Sequence, residues 1–139
     1  ETICCLDLSK KYNIPIWASF VLKDKEHILS GESLTKTIKA IKKYNIECFL
    51  INCNSLKKTD KALKIISENW DKKWGIYPNF GLGEPSHDGV INSISNDKEF
   101  LNLIDNAISL GASIIGGCCG SNPNHTRIIK EYLNSRFEN

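Results

Sequence analysis

Ala112-Ser113-Ile114-Ile115-Gly116-Gly117-Cys118-Cys119-Gly120 is a short apolar run that ends on two glycines and two adjacent cysteines. A brief apolar run bounded by glycines reads as a buried strand, and glycine lets the chain turn sharply where the strand ends. The same design lies upstream, where Cys48-Phe49-Leu50-Ile51 leads through Asn52 into Cys53. Cys53, Cys118 and Cys119 therefore fall at the carboxyl ends of predicted strands. In parallel α/β folds that edge is where chemistry collects.

Outward from these two strands, apolar runs alternate with helical patterns along the chain. A first strand is expected over Ile14 to Val21. Ser33 is a candidate N-cap for a helix with Leu34, Ile38 and Ile41 on one face and Lys36, Lys39 and Lys43 on the other. A second strand is expected over Glu47 to Asn52, then a helix from near Thr59 with Ala62, Leu63, Ile66 and Trp70 as its stripe. A third strand, Trp74 to Tyr77, should stop at Pro78. A long loop from Asn79 to Ser95 has the composition of a lid or of surface filler. Asn96 with Glu99 three residues on resembles a capping box, for a helix that turns Phe100, Leu101, Ile104 and Ile108 inward and ends at Gly111 as a left-handed C-cap. The last strand, Ala112 to Gly116, precedes a helix from about Asn124 that buries Ile128, Ile129, Tyr132 and Leu133. Cys4 to Tyr12 reads as a brief opening helix.

The order βαβαβαβα implies α/β architecture with a parallel sheet. Four strands suit a small open sheet, and they are also half of an eight-stranded (β/α)8 TIM barrel, which takes about 250 residues. The 139 residues open at Glu1-Thr2-Ile3 and contain no methionine. The expectation is one domain over residues 1–139, the C-terminal half of a barrel whose N-terminal half is missing, with about four βα units.

Composition excludes several classes. A formal charge of +2, with lysines spread along helix faces, gives no footprint for nucleic acid. No apolar run approaches the roughly 20 residues needed to cross a bilayer, so no membrane association is expected. Six cysteines raise the question of a disulfide scaffold, but the vicinal pairs Cys4-Cys5 and Cys118-Cys119 would compete for partners. Reduced thiols and a cytoplasmic setting fit better.

A lone cysteine is by default a packing residue, and Cys4, Cys5 and Cys48 are read so. Three gathered at two strand ends point instead to zinc, which takes thiolates in tetrahedral geometry and in catalytic sites keeps the fourth position open. Three thiolates bring the formal charge of such a centre from +2 to −1, so an incoming thiol is ionised yet stays nucleophilic, as alkyl transfer to sulfur requires. A redox switch at Cys118-Cys119 is the rival from another class, and adjacency makes its ring strained. His27 and His87 are expected in solvent, and His125, following Pro123 near a helix start, at the surface, with a capping or phosphate-facing role as the alternative. Trp17, Trp70 and Trp74 are expected in the core, and Tyr77 to pack.

Cys53 within Ile51-Asn52-Cys53-Asn54, the run Tyr77-Pro78-Asn79-Phe80-Gly81, and Gly116-Gly117-Cys118-Cys119-Gly120 followed by Pro123 together resemble the homocysteine S-methyltransferase family. The resemblance covers essentially the whole chain. It implies a (β/α)8 barrel in which Cys53, Cys118 and Cys119 hold Zn2+, with no catalytic side chain beyond the metal site. It implies methyl transfer to the thiolate of homocysteine, giving methionine, from S-methylmethionine, S-adenosylmethionine, betaine or a methylated cobalamin. Glu1 matches the acid that engages the amino group of homocysteine, and Asn79 would contact substrate or occupy the open zinc position. The departures are a short segment between Ile3 and Pro15, Asn54-Ser55-Leu56 where the family often has a proline, and the lack of the acid carried by the family's first strand. The alternative is a non-catalytic zinc-binding fragment or remnant of such a barrel.

Overall fold

A computed structural model describes residues 1–80 and 97–137. Its elements run α1 (Thr2–Ser9), β1 (Ile16–Phe20), α2 (Leu34–Ile41), β2 (Ile46–Ser55), α3 (Leu56–Asn69), β3 (Lys73–Asn79), α4 (Asp97–Ser109), β4 (Ile114–Ile115) and α5 (Pro123–Phe137). The strands form one sheet in the order β1-β2-β3-β4, every neighbouring pair parallel. Strands laid down in sequence with helical crossovers of one hand place their helices on one face, which is the geometry of a barrel wall.

Side-chain alternation divides each strand between two faces. On one face Ala18, Phe20, Phe49, Ile51, Trp74 and Ile76 join Leu34, Ile38, Ile41, Ala62, Leu63 and Ile66 from α2 and α3 in the main core. A second cluster packs Phe80, Phe100, Ile104 and Ile129 between β3, α4 and α5. Burying an aromatic ring such as Phe100 contributes about 3 kcal/mol, and α4 is held from two sides, by Phe100 and Ile104 in this cluster and by Leu103 and Ala107 in the main core. Trp70 and Trp74 are buried as expected. Trp17 is 54% exposed, because it alternates onto the opposite face of β1 with Ser19.

Element bounds depart from expectation where local chemistry wins. Helix α3 starts at Leu56 rather than near Thr59, because Ser55 Oγ accepts the Lys58 N–H and serves as its N-cap. Ser33 is the N-cap residue of α2, but its side chain makes no capping bond. Strand β3 passes through Pro78 instead of stopping there, since the Pro78 carbonyl still accepts the Cys118 N–H and only a donor is lost. Gly111 has φ +97, as a left-handed C-cap requires. Helix α1 spans Thr2–Ser9, earlier than expected, and leaves Cys4 and Cys5 exposed rather than packed. Cys48 is fully buried. The expected lid, His87 and the Asn96 cap lie outside the described residues.

Candidate metal centre

Cys53 lies in β2 at an irregularity in the β2–β3 ladder. Asn52 pairs with Tyr77 and Ser55 with Asn79, so β2 spends three steps where β3 spends two. This is a bulge carrying one extra residue, a device that bends a strand end and re-aims its side chain. Cys53 takes φ +56 within it and is the one non-glycine residue with positive φ among the described residues. Left-handed backbone at an L-residue costs of order 1 kcal/mol, so the surrounding contacts must hold it.

Cys118 and Cys119 are set by an extension of the β3–β4 ladder. Gly116 N–H donates to Ile76 O, Cys118 N–H to Pro78 O, and Phe80 N–H to Cys119 O. The corner then closes through Ser121, whose N–H and hydroxyl both donate to Cys118 O. Positive φ falls on Gly120 rather than on Gly116 or Gly117. Gly117 is demanded by packing, because a Cβ there would lie 2.7 Å from the Ser121 Cβ and 3.1 Å from the Phe80 ring.

The two corners bring the sulfurs together. Cys53 Sγ lies 3.4 Å from Cys119 Sγ, Cys118 Sγ lies 3.9 Å from Cys119 Sγ, and all three fall within 4.8 Å of one another. Zinc–sulfur bonds of about 2.3 Å at tetrahedral angles need sulfurs roughly 3.8 Å apart. The set fits a cation of that kind and leaves one corner of the tetrahedron for a further ligand. Burial, followed by hydrogen bonding to Cys119 and Cys118, pushes the Cys53 thiol up to about 12. The Cys53 thiol so placed keeps its proton at neutral pH unless a cation shares the space, and a bound divalent ion reverses that preference.

Asn79 sits at the rim by register, between the two rungs that hold Cys118 and Cys119. Glu1 is the exposed N-cap residue of α1. It lines an open cavity of about 830 Å³ with Phe20, His27, Ser30 and Lys36, to which none of the three cysteines contributes.

A hydrogen-bonded chain beside the centre was not read from sequence. Ser19 Oγ donates to Asn52 Oδ1 at 2.7 Å, which leaves the Tyr77 hydroxyl to donate to Ser19 Oγ, also at 2.7 Å. This chain crosses β1, β2 and β3 one residue before Cys53. His125 is buried rather than at the surface: its ring lies 4.0 Å from that of Phe80, and its Nδ1 accepts the Asn122 N–H. That bond is the capping alternative read from His125 following Pro123 at a helix start, where a side-chain acceptor can reach back to a free N–H. His27 is half exposed and bonded to Asp24. Among the described residues no helix is long and apolar enough to cross a membrane.

Comparison with known proteins bears on this geometry. The family model described as homocysteine S-methyltransferase matches residues 1–133. Homocysteine S-methyltransferase 2 of Zea mays is 36% identical over 128 residues, covering 88% of this chain and 37% of its own length. Homocysteine S-methyltransferase 1 of Brassica oleracea var. italica is 30% identical over 141 residues, covering 98% of this chain and 43% of its own. The chain thus spans less than half the length of these curated relatives. The metallated form of the homocysteine methyltransferase MmuM from Escherichia coli superposes with a TM-score of 0.75 at 25% identity, over 91% of this chain and 39% of MmuM. The parallel four-stranded sheet is accordingly the α/β, TIM-barrel type, matched to part of a larger barrel. From sequence motifs, sheet order and these likenesses together, the chain belongs to the homocysteine S-methyltransferase family.

Proposed function

We propose that the protein transfers a methyl group to the thiolate of homocysteine, giving methionine, with Cys53, Cys118 and Cys119 as the protein ligands of one Zn2+. One observation carries the reading: three sulfurs from two distant strand ends lie within 4.8 Å at the carboxyl edge of the sheet. When bound, the metal would supply a positive centre that ionises the substrate thiol while the three thiolates keep that sulfur electron-rich.

The chain's own residues set the rest. The bulge at Cys53 and the Pro78–Cys118 rung hold the sulfurs on one side and leave the opposite side for substrate. Glu1 engages the substrate ammonium, and Asn79 contacts the substrate or stands at the open coordination position. The homocysteine sulfur attacks the methyl carbon in line, the new S–C bond forms as the bond to the donor breaks, and the electron pair leaves with the donor. The donor is S-methylmethionine, S-adenosylmethionine, betaine or a methylated cobalamin. Holding both partners in line supplies a large share of the rate. Residues 1–139 act as the C-terminal part of one homocysteine-binding barrel, in a cytoplasmic setting that keeps the thiols reduced.

The test is to load the full-length protein with zinc and assay methionine formation with each of the four donors. Turnover with one donor, lost in Cys53→Ala, supports the reading. Zinc bound at one equivalent with no turnover on any donor overturns it in favour of a non-catalytic zinc-binding protein.

A further inference from the structure

Asn54 is a polar side chain at 2% exposure, directly after the residue with the strained backbone. Its amide is used at both ends. Oδ1 accepts the Leu22 N–H at 2.8 Å, and Nδ2 donates to the Asn52 carbonyl at 2.9 Å. The first bond ties β2 to the segment leaving β1. The second spans Cys53 itself, linking the backbone before it to the side chain after it. The Asn54 carbonyl in turn accepts the hydroxyl of Thr59, which is fully buried in α3, and Lys58 Nζ donates to Leu22 O. Asn52, on the other flank, is held by Ser19.

We propose that Asn54 is a positioning residue of the thiol centre: its buried amide clamps the bulge so that Cys53 keeps its left-handed backbone and its sulfur faces Cys119. The argument is geometric. A side chain whose terminal amide carries an acceptor and a donor, each two bonds from Cβ, reaches Leu22 and Asn52 together. Alanine reaches neither, and serine has a single short hydroxyl. Without the clamp, Cys53 relaxes toward ordinary extended backbone, and the alternation of the strand carries its sulfur off the face it shares with Cys119.

This inference rests on the metal reading above, and the experiment separates the two. Metal affinity of the full-length protein is measured by chelator competition with Zn2+, and ligand geometry by the thiolate charge-transfer band with Co2+. Wild type, Asn54→Ala and Asn54→Ser are compared with Ile66→Val, a core change in α3 that loosens the fold without touching the bulge. Asn54→Ala is expected to lower zinc affinity by about tenfold or more, the scale of losing a residue that orients a ligand, and to weaken or shift the Co2+ band. Asn54→Ser should lie between, and Ile66→Val should match wild type in both readouts. A folded Asn54→Ala with wild-type affinity and band overturns the proposal. Should Asn54→Ala not fold, a wild-type result for Asn54→Ser does the same. Equal losses in Asn54→Ala and Ile66→Val also overturn it, because the effect would then be one of stability. If the wild type binds neither metal, the metal reading fails and this inference with it.

Discussion

The sulfurs of Cys53 and Cys119 lie 3.4 Å apart although 66 residues separate them. The two thiols belong to different strand ends, and Cys118 stands 3.9 Å from Cys119 on the second of them. If the three hold zinc as proposed, replacing any one of them by alanine removes a ligand, not just a partner that orients one. Zinc affinity should fall by more than about 100-fold in each single variant. Metal content after dialysis, measured on the full-length protein, should drop from one equivalent to near zero each time. A variant that keeps its zinc is not missing a ligand.

Gly75 allows β4 to lie against β3. A Cβ at this position would fall 2.2 Å from the Ile114 carbonyl oxygen and 2.5 Å from the Ile114 Cβ, and backbone cannot step aside as a flexible side chain would. Gly75→Ala should destabilise the fold by about 3 kcal/mol and displace the rungs that carry Cys118 and Cys119. Urea denaturation and zinc affinity should both register the change.

Phe80 joins the second core cluster to the cysteine corner. Its ring meets Phe100 edge-on at 4.6 Å and His125 at 4.0 Å, and its N–H donates to the Cys119 carbonyl. Phe80→Ala should cost about 3–5 kcal/mol through the cavity it leaves. Phe80→Leu, which keeps most of the volume, should cost far less and retain zinc. Thermal melts with and without metal distinguish the two.

The contact between α4 and α5 should depend on pH at both ends of the scale. The Tyr132 hydroxyl and then the Arg136 guanidinium hold the Asp105 carboxyl below its ordinary value of 3.8. Burial, then the bond to Asp105, raises the Tyr132 phenol above its ordinary 10.0. A depressed carboxylate stabilises the fold above its unfolded value and stops doing so as pH falls through the folded one. A raised phenol stabilises below its unfolded value and stops as pH rises through the folded one. Asp105→Ala should therefore lower the urea midpoint at pH 7 relative to wild type, with the difference closing in acid as pH falls through the depressed Asp105 value. An unchanged difference in acid would show that Asp105 acts through packing rather than charge.

Much of the architecture was legible in the residues. The stripe Leu34, Ile38 and Ile41 is fully buried, and so is Ala62, Leu63 and Ile66, because a period near 3.6 leaves a helix one way to face a core. The three cysteines were legible as a set because each ends an apolar run. Trp17 and His125 were not. A strand residue's face depends on register with its neighbours, and Trp17 took the side opposite the main core. His125 is buried because Phe80 and Phe100 close over it, and neither is near it in sequence.

By itself the sequence determined that strands and helices alternate, that three thiols end two of those strands, and which family's motifs they carry. These are local facts, written in periodicity and in the order of glycine, asparagine and cysteine. Only the tertiary structure decided how the thiols meet. The extra residue between Asn52 and Ser55, the left-handed backbone at Cys53 and the rungs from β3 to Cys118 and Cys119 set the sulfur positions. Each depends on hydrogen bonds between segments far apart in the chain, and no reading of neighbouring residues can supply a partner that folding alone brings near.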